Sequence, residues 1–246
     1  MRRKKSSGFS LIELLVVLLI LGVVSGAIYA QIAAVQQRGR TEQTKLDYMQ
    51  ESRDFVDQFF RDINQIGYPN SRMVDTTSAL WVPALSNPLI NDSRLAVGLV
   101  KADVQEIRFE SDIAGTGRVQ SVAYKVNGSG VCTLCLQRSQ TDKVSGNSLT
   151  GQTQSWGTEI NDVANATIFS YFKADGTQVT GLPVDMSTTA GAQTLASIKS
   201  IQINVRVQNA AVIDPKTRQP IEMTFEGEVS VNNCSMLANG QPMSCQ

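Results

Sequence analysis

The chain has 246 residues, 42% apolar and 18% charged, enough for one large domain or two small ones. Its 22 basic and 22 acidic side chains balance, but Arg2, Arg3, Lys4 and Lys5 stand apart at the start, which leaves 18 basic against 22 acidic, a formal −4. That balance predicts no general nucleic-acid surface, and the absence of histidine excludes His-dependent triads and His-containing zinc sites.

The stub Met1-Arg2-Arg3-Lys4-Lys5-Ser6-Ser7 is basic. Lys and Arg beside a hydrophobic segment stay cytoplasmic, so the bulk of the chain is expected on the far side of a membrane. A secretory signal carries its small residues after the apolar run. Here Ser6-Ser7-Gly8 precede it, so the stub is expected to be removed and the apolar segment kept.

From Leu14 to Ala30 there are 17 residues without a charge. Phe9 to Val35 makes 27, with Glu13 the only acidic or basic side chain. A helix rising about 1.5 Å per residue spans a hydrocarbon core of roughly 30 Å with that length. A mid-membrane charge costs roughly 2.5–3.5 kcal/mol, less near the boundary, so Glu13 needs a partner or a headgroup. Gly22 and Gly26 form a small-xxx-small pair that suits a close helix contact.

From Gln36 to Ile66 the chain turns polar without a proline. Leu46, Met49, Val56, Phe59, Phe60, Ile63 and Ile66 recur by threes and fours, with Phe55 beside them. That spacing predicts an amphipathic continuation of the same helix, some 55 residues in all, with a stop at Gly67-Tyr68-Pro69-Asn70. Asp54, Asp57 and Asp62 read as solvated charges between the apolar positions.

The rest reads as β. Residues 70–100, with Trp81, Pro83 and Pro88, read as a connector. Strands are predicted at Val104–Phe109, Gln120–Val126, Val131–Gln137 and Ile168–Lys173, with a hairpin signal at Asn127-Gly128-Ser129-Gly130. Loops are predicted over Arg138–Asp162 and residues 180–194. Ile201, Ile203, Val205 and Val207 alternate with polar residues, as do Ile221, Met223, Phe225, Val229 and Val231. Period-two patterning predicts an antiparallel sheet with one buried face, which the aromatic stripe of the helix is suited to cover. Asp112 and Asp175 sit in glycine turns without the oxygen run of a calcium loop.

Four cysteines, Cys132, Cys135, Cys234 and Cys245, beyond a membrane segment predict an oxidising compartment and two disulfides, with three pairings open. Cys132 and Cys135 have Cys-x-x-Cys spacing but no βα context for a redox site. Positions i and i+3 of a regular strand face opposite sides, so a bridge between them needs a bulge or tight turn. A bridge between Cys234 and Cys245 closes a loop through Asn239-Gly240, contributing on the order of 2–4 kcal/mol.

The stretch Gly8-Phe9-Ser10-Leu11-Ile12-Glu13-Leu14-Leu15-Val16 resembles, almost residue for residue, the class III signal of type IV pilins and type II secretion pseudopilins. The resemblance implies cleavage after Gly8 by a membrane-embedded prepilin peptidase and N-methylation of Phe9. It implies that Glu13 pairs with the N-terminal amine of a neighbouring subunit. An amine and a carboxylate in low dielectric attract strongly, and each offsets the other's burial cost. Two further stretches resemble large minor pilins of the PilW type and J-type pseudopilins. One runs from Val104–Phe109 through Asp112 and Gly117 to Val122-Ala123-Tyr124; the other is Phe169–Phe172 with Asp175-Gly176, leading to the strand from Ile198. The chain departs from many pilins in having no proline from Phe9 to Tyr68.

The implied plan is an α+β ladle: leader 1–8, transmembrane and assembly helix 9–35, amphipathic half 36–67, and antiparallel β head 68–246 with a C-terminal cysteine loop. The implied role is structural, without enzymatic activity, cofactor or metal. It is that of a minor subunit of a type IV pilus, which helps initiate or cap the filament. Its partners are other pilin subunits through the N-terminal helix, prepilin peptidase and the inner membrane. The N-terminus lies in the cytoplasm and the head in the periplasm, then on the pilus or cell surface. A J-like pseudopilin of a type II secretion system is the alternative, and a tip adhesin or DNA-uptake pilin a further one.

Overall fold

The computed structural model describes residues 10–69, 93, 96–129, 132–144 and 147–231, with 128, 129, 132 and 133 by backbone alone. A single helix, α1, runs from Leu11 to Asn64. No proline or β-breaking turn interrupts it, which is why one helix serves both the apolar and the amphipathic half. Its last turn tightens, with Gln65 and Ile66 donating to the carbonyls of Asp62 and Ile63. Gly67 then takes φ 77°, open to glycine at little cost, and the chain leaves the helix at the predicted stop.

The strands are β1 (Leu99–Ala102), β2 (Glu106–Ser111), β3 (Gln120–Ser129), β4 (Cys132–Asp142), β5 (Trp156–Ile160), β6 (Phe169–Lys173), β7 (Val184–Asp185), β8 (Ile198–Ile213) and β9 (Pro220–Ser230). A short helix, α2, spans Thr189–Ser197. The α+β class is therefore as read from the sequence. Two compact units divide the chain. One holds α1 up to Leu46 with Ala210–Ile221, and the other holds Asp47–Asn209 with the residues from Glu222 on.

In the first unit, every Leu, Ile and Val of α1 from Leu11 to Val35 is exposed. The segment Ala210–Ile221 ends β8, turns, and begins β9. Asp214 organises the turn: its N–H donates to the Gln219 carbonyl at 2.9 Å, and its own carbonyl accepts the Arg218 N–H at 2.8 Å. Lys45 reaches the Asp214 carboxylate at 3.2 Å.

In the second unit the strands form two sheets rather than one. The first has six strands in the order β5-β4-β3-β2-β1-β7, and the second has β6-β8-β9. Phe109 faces Val122 across β2 and β3, and Phe169 faces Ile203 across β6 and β8. The predicted loop over Arg138–Asp162 is corrected, since it contains the end of β4 and all of β5. The predicted loop at 180–194 contains β7 and the start of α2, capped by Thr188, whose Oγ1 accepts the Gly191 N–H at 3.0 Å. The connector predicted at 70–100 ends in β1, whose Leu99 and Val100 are buried.

The core of this unit is built from α1 and both sheets. Phe55, Phe59 and Ile63 of α1, with Ile66 in the turn just after it, are buried among Ile107, Phe109 and Tyr124 of the six-stranded sheet and Phe169, Ile201 and Ile203 of the three-stranded one. Gly227 of β9 admits the Phe60 ring, because a Cβ there would stand 2.8 Å from Phe60 Cζ.

Candidate functional site

Ser10 precedes the first turn of α1 and Glu13 lies within it. The Ser10 N–H donates to Glu13 Oε2 at 3.0 Å. This is the carboxylate half of a Ser-x-x-Glu capping box, which satisfies one of the orphan donors of the helix start. The spacing Ser10-Leu11-Ile12-Glu13 carries that signal in the sequence, and reading it only as a membrane-buried charge overlooked it. Gly8 and Phe9 lie outside the described residues.

Beyond this turn α1 offers a bare apolar surface. An 18-residue window of it has mean hydropathy 2.8 with none of it buried within the chain, long and apolar enough to cross a membrane. A Cβ built at Gly22 or Gly26 meets nothing within 4 Å. The small-xxx-small pair is therefore open on the helix surface.

Asp62 is not a solvated charge, and that expectation is corrected. It is fully buried, while Asp54 and Asp57 are exposed. Tyr124 Oη donates to its Oδ2 at 2.6 Å, Arg138 Nε to the same oxygen at 2.8 Å, and Gln58 Nε2 to Oδ1 at 2.6 Å. Tyr124 and Arg138 sit directly opposite each other on β3 and β4, so their side chains share a sheet face and converge on α1. Burial, and then the Asp62 charge, push the Tyr124 phenol well above its ordinary range. With two donors on Oδ2 and a third on Oδ1, Asp62 ties α1 to β3 and β4 as a structural lock. Beside it opens a polar groove of about 600 Å³ lined by Glu51, Asp54, Arg61, Arg138 and Glu159.

A second buried pair joins Lys143 Nζ to Glu110 Oε2 at 2.6 Å, with both side chains fully buried. The Val97 N–H donates to the same oxygen at 3.1 Å. Burial pushes the Glu110 carboxyl up, against the pull of Lys143. No local pattern marks this pair, since neither residue falls on a patterned apolar position. Among the described residues no cluster of three or more His, Cys, Asp or Glu side chains is placed to hold a metal ion.

Cys135 is fully buried on β4 and disulfide-bonded. The Cys132 side chain, and Cys234 and Cys245 entirely, lie outside the described residues.

The first turn of α1 and its bare apolar face are the features of this chain that point outward to a function. Residues 3–29 match the prokaryotic N-terminal methylation motif. No curated protein matches the chain. The match takes in Glu13 and the capping turn, and it supports a type IV pilin or pseudopilin-like role with membrane anchoring. A prepilin-type motif implies processing by prepilin peptidase and assembly with other pilins, a structural subunit rather than an enzyme.

Proposed function

We propose that this chain is a minor subunit of a type IV pilus, matured by cleavage between Gly8 and Phe9 and methylated on Phe9. The methylation motif at residues 3–29 carries the reading. The apolar half of α1 holds the precursor in the inner membrane, with the stub cytoplasmic and the head periplasmic, and later packs among other subunits. The size of the head favours a place at or near a filament tip, where it helps initiate or cap the fibre. A head of two sheets is bulky for a repeating shaft.

In this proposal Glu13 changes partner on assembly. In the single chain it caps its own helix through the Ser10 N–H. In the filament it faces the methylated amine of a neighbouring Phe9, and the apolar surroundings make that pairing selective for register. Removing one partner of such a buried pair costs about 3 kcal/mol or more. Glu13→Ala is therefore expected to leave processing intact and to cut incorporation into filaments on the order of a hundredfold.

Mass spectrometry of the mature protein tests the assignment. The expected terminus is Phe9 bearing one methyl group. An intact Met1, or cleavage beyond Ala30, rejects it. Non-reducing peptide maps from the same sample are expected to show Cys132 joined to Cys135 and Cys234 joined to Cys245. The register supports the first bridge. Asn127 pairs with Cys135 and Ser129 with Cys132, so β4 holds one residue more than β3 between those points. That is the bulge an i,i+3 bridge requires. A cross-linked Cys135–Cys234 or Cys135–Cys245 peptide overturns it.

A further inference from the structure

We infer that the β8–β9 turn and the facing stretch of α1 form a docking surface for anionic phospholipid headgroups, on the leaflet opposite the basic stub. The inference rests on the membrane-anchored reading of α1 and deepens it.

The height of the surface follows from the helix. The apolar run ends at Val35, and the next charges are Arg38 and Arg40. At about 1.5 Å per residue, Arg40 lies about 7 Å beyond Val35 along the axis. The headgroup layer extends some 5–7 Å beyond the hydrocarbon on each side of a bilayer. Both arginines therefore reach the depth of lipid phosphates. Across a groove of about 440 Å³, Ala33, Gln37, Arg40 and Thr41 of α1 face Ala211–Ile213 of β8. The strand end stands at the same depth as the helix turns that line the groove with it. The groove is apolar along Ala33, Val212 and Ile213, and polar along Gln37, Arg40 and Thr41. That gradient matches the boundary between acyl chain and headgroup.

Charge selects the occupant. The turn adds Lys216 and Arg218, both exposed. Glu42 and Asp214 are the acidic groups of this unit on the same side, and Lys45 engages both, at 3.8 Å and 3.2 Å. Among the described residues no ion pair engages Arg38, Arg40, Lys216 or Arg218. Arg40 thus lines a half-apolar groove at headgroup depth, with Arg38 two residues before it on the helix and Lys216 and Arg218 on the turn that continues its strand side. The turn is braced for such contact. The Asp214 carboxylate accepts the Lys216 N–H at 2.8 Å, and the Arg218 N–H donates to the Asp214 carbonyl at 2.8 Å. Each cation held near an anionic leaflet strengthens attraction roughly fivefold, and salt weakens it.

Photo-crosslinking of the full chain in vesicles tests this. Benzoylphenylalanine is placed at Thr217 in one sample and at Tyr29 in another, in phosphatidylcholine vesicles with or without phosphatidylglycerol. Tyr29 is expected to crosslink to lipid in both. Thr217 is expected to crosslink to phosphatidylglycerol several-fold more than to phosphatidylcholine, with the preference falling in high salt. In a chain carrying Arg40→Glu, Lys216→Glu and Arg218→Glu, the Thr217 yield is expected to drop at least tenfold while the Tyr29 yield stays. Lipid capture at Tyr29 without any at Thr217, equal capture of both lipids at Thr217, or capture of a second copy of the chain there overturns the docking surface alone. Loss of lipid capture at Tyr29 overturns the anchored reading and the inference with it.

Discussion

Replacing Asp62 by alanine is expected to lower the stability of the head by about 3–5 kcal/mol. The reason is less the lost pair than what it leaves behind. Arg138, whose side chain is 14% exposed, would lose its carboxylate at 2.8 Å. The Tyr124 hydroxyl, buried beneath the same contact, would lose its acceptor at 2.6 Å. Gln140 Oε1 still accepts from Arg138 Nη2 at 2.7 Å, but that amide brings no compensating charge. For a domain of this size the loss corresponds to a fall in melting temperature of about 6–20 °C. Thermal melts of the full chain in detergent, followed by tryptophan fluorescence, measure it. Trp156 on β5 is a local reporter, since Ser139 of β4 pairs with it beside Arg138. The double variant Asp62→Ala/Arg138→Met removes both charges and is expected to recover part of the loss, because the penalty is an orphaned charge. A loss under about 1 kcal/mol in the single variant would show that Asp62 does not lock helix to sheet.

The lock is hidden from local sequence pattern. Charged residues between apolar positions are usually the wet side of an amphipathic helix. Asp62, however, lies three residues after Phe59 and four before Ile66, both fully buried. Residues three and four apart on a helix are neighbours on one face. The spacing placed Asp62 on the apolar stripe, and its identity concealed this. Its partners were beyond reach of any local pattern, since Tyr124 and Arg138 lie 62 and 76 residues away in sequence.

The legible elements are those whose pattern is local. α1, its stop at Gly67, and the alternating strands β3, β8 and β9 follow from periodicities of 3.6 and 2. The missed elements lack such a period. β5 shows little burial along Trp156–Thr158, so no apolar face marks it. α2 is built of small residues in which Leu195 is the one large buried side chain. The division into two sheets depends on which strands pair, and pairing is set by contacts far apart along the chain. At the N-terminal signal the balance is reversed. The methylation motif at residues 3–29 is written in contiguous residues, so it is legible without any long-range contact, whereas the capping contact of Glu13 was missed.

Phe59→Ala is expected to be the most damaging apolar truncation in the head, at about 3–5 kcal/mol. The ring is fully buried where α1 meets both sheets. It stands edge-on to Tyr124 of β3 at 5.3 Å and stacks on Phe169 of β6 at 5.9 Å. Phe55, one turn earlier, stacks on it at 5.8 Å and also meets Tyr124 at 5.9 Å. No other ring among those contacts touches aromatic partners in both sheets, so truncation opens a cavity that neither sheet can close alone. Phe60→Ala is expected to cost less, because that ring is half-buried against Gly227. Phe59→Leu retains most of the burial and is expected to cost roughly 1–2 kcal/mol. Urea titration of the full chain in detergent separates the three. Phe59 and Asp62 share Tyr124, so the double variant Phe59→Ala/Asp62→Ala is expected to lose less than the two singles together. Equal effects of Phe59→Ala and Phe60→Ala, or strict additivity with Asp62→Ala, would mean that the sheets are held together elsewhere. The larger loss at Phe59, with coupling to Asp62, would locate the junction in the aromatic stripe of α1, and the helix that carries the assembly signal would then also organise the head.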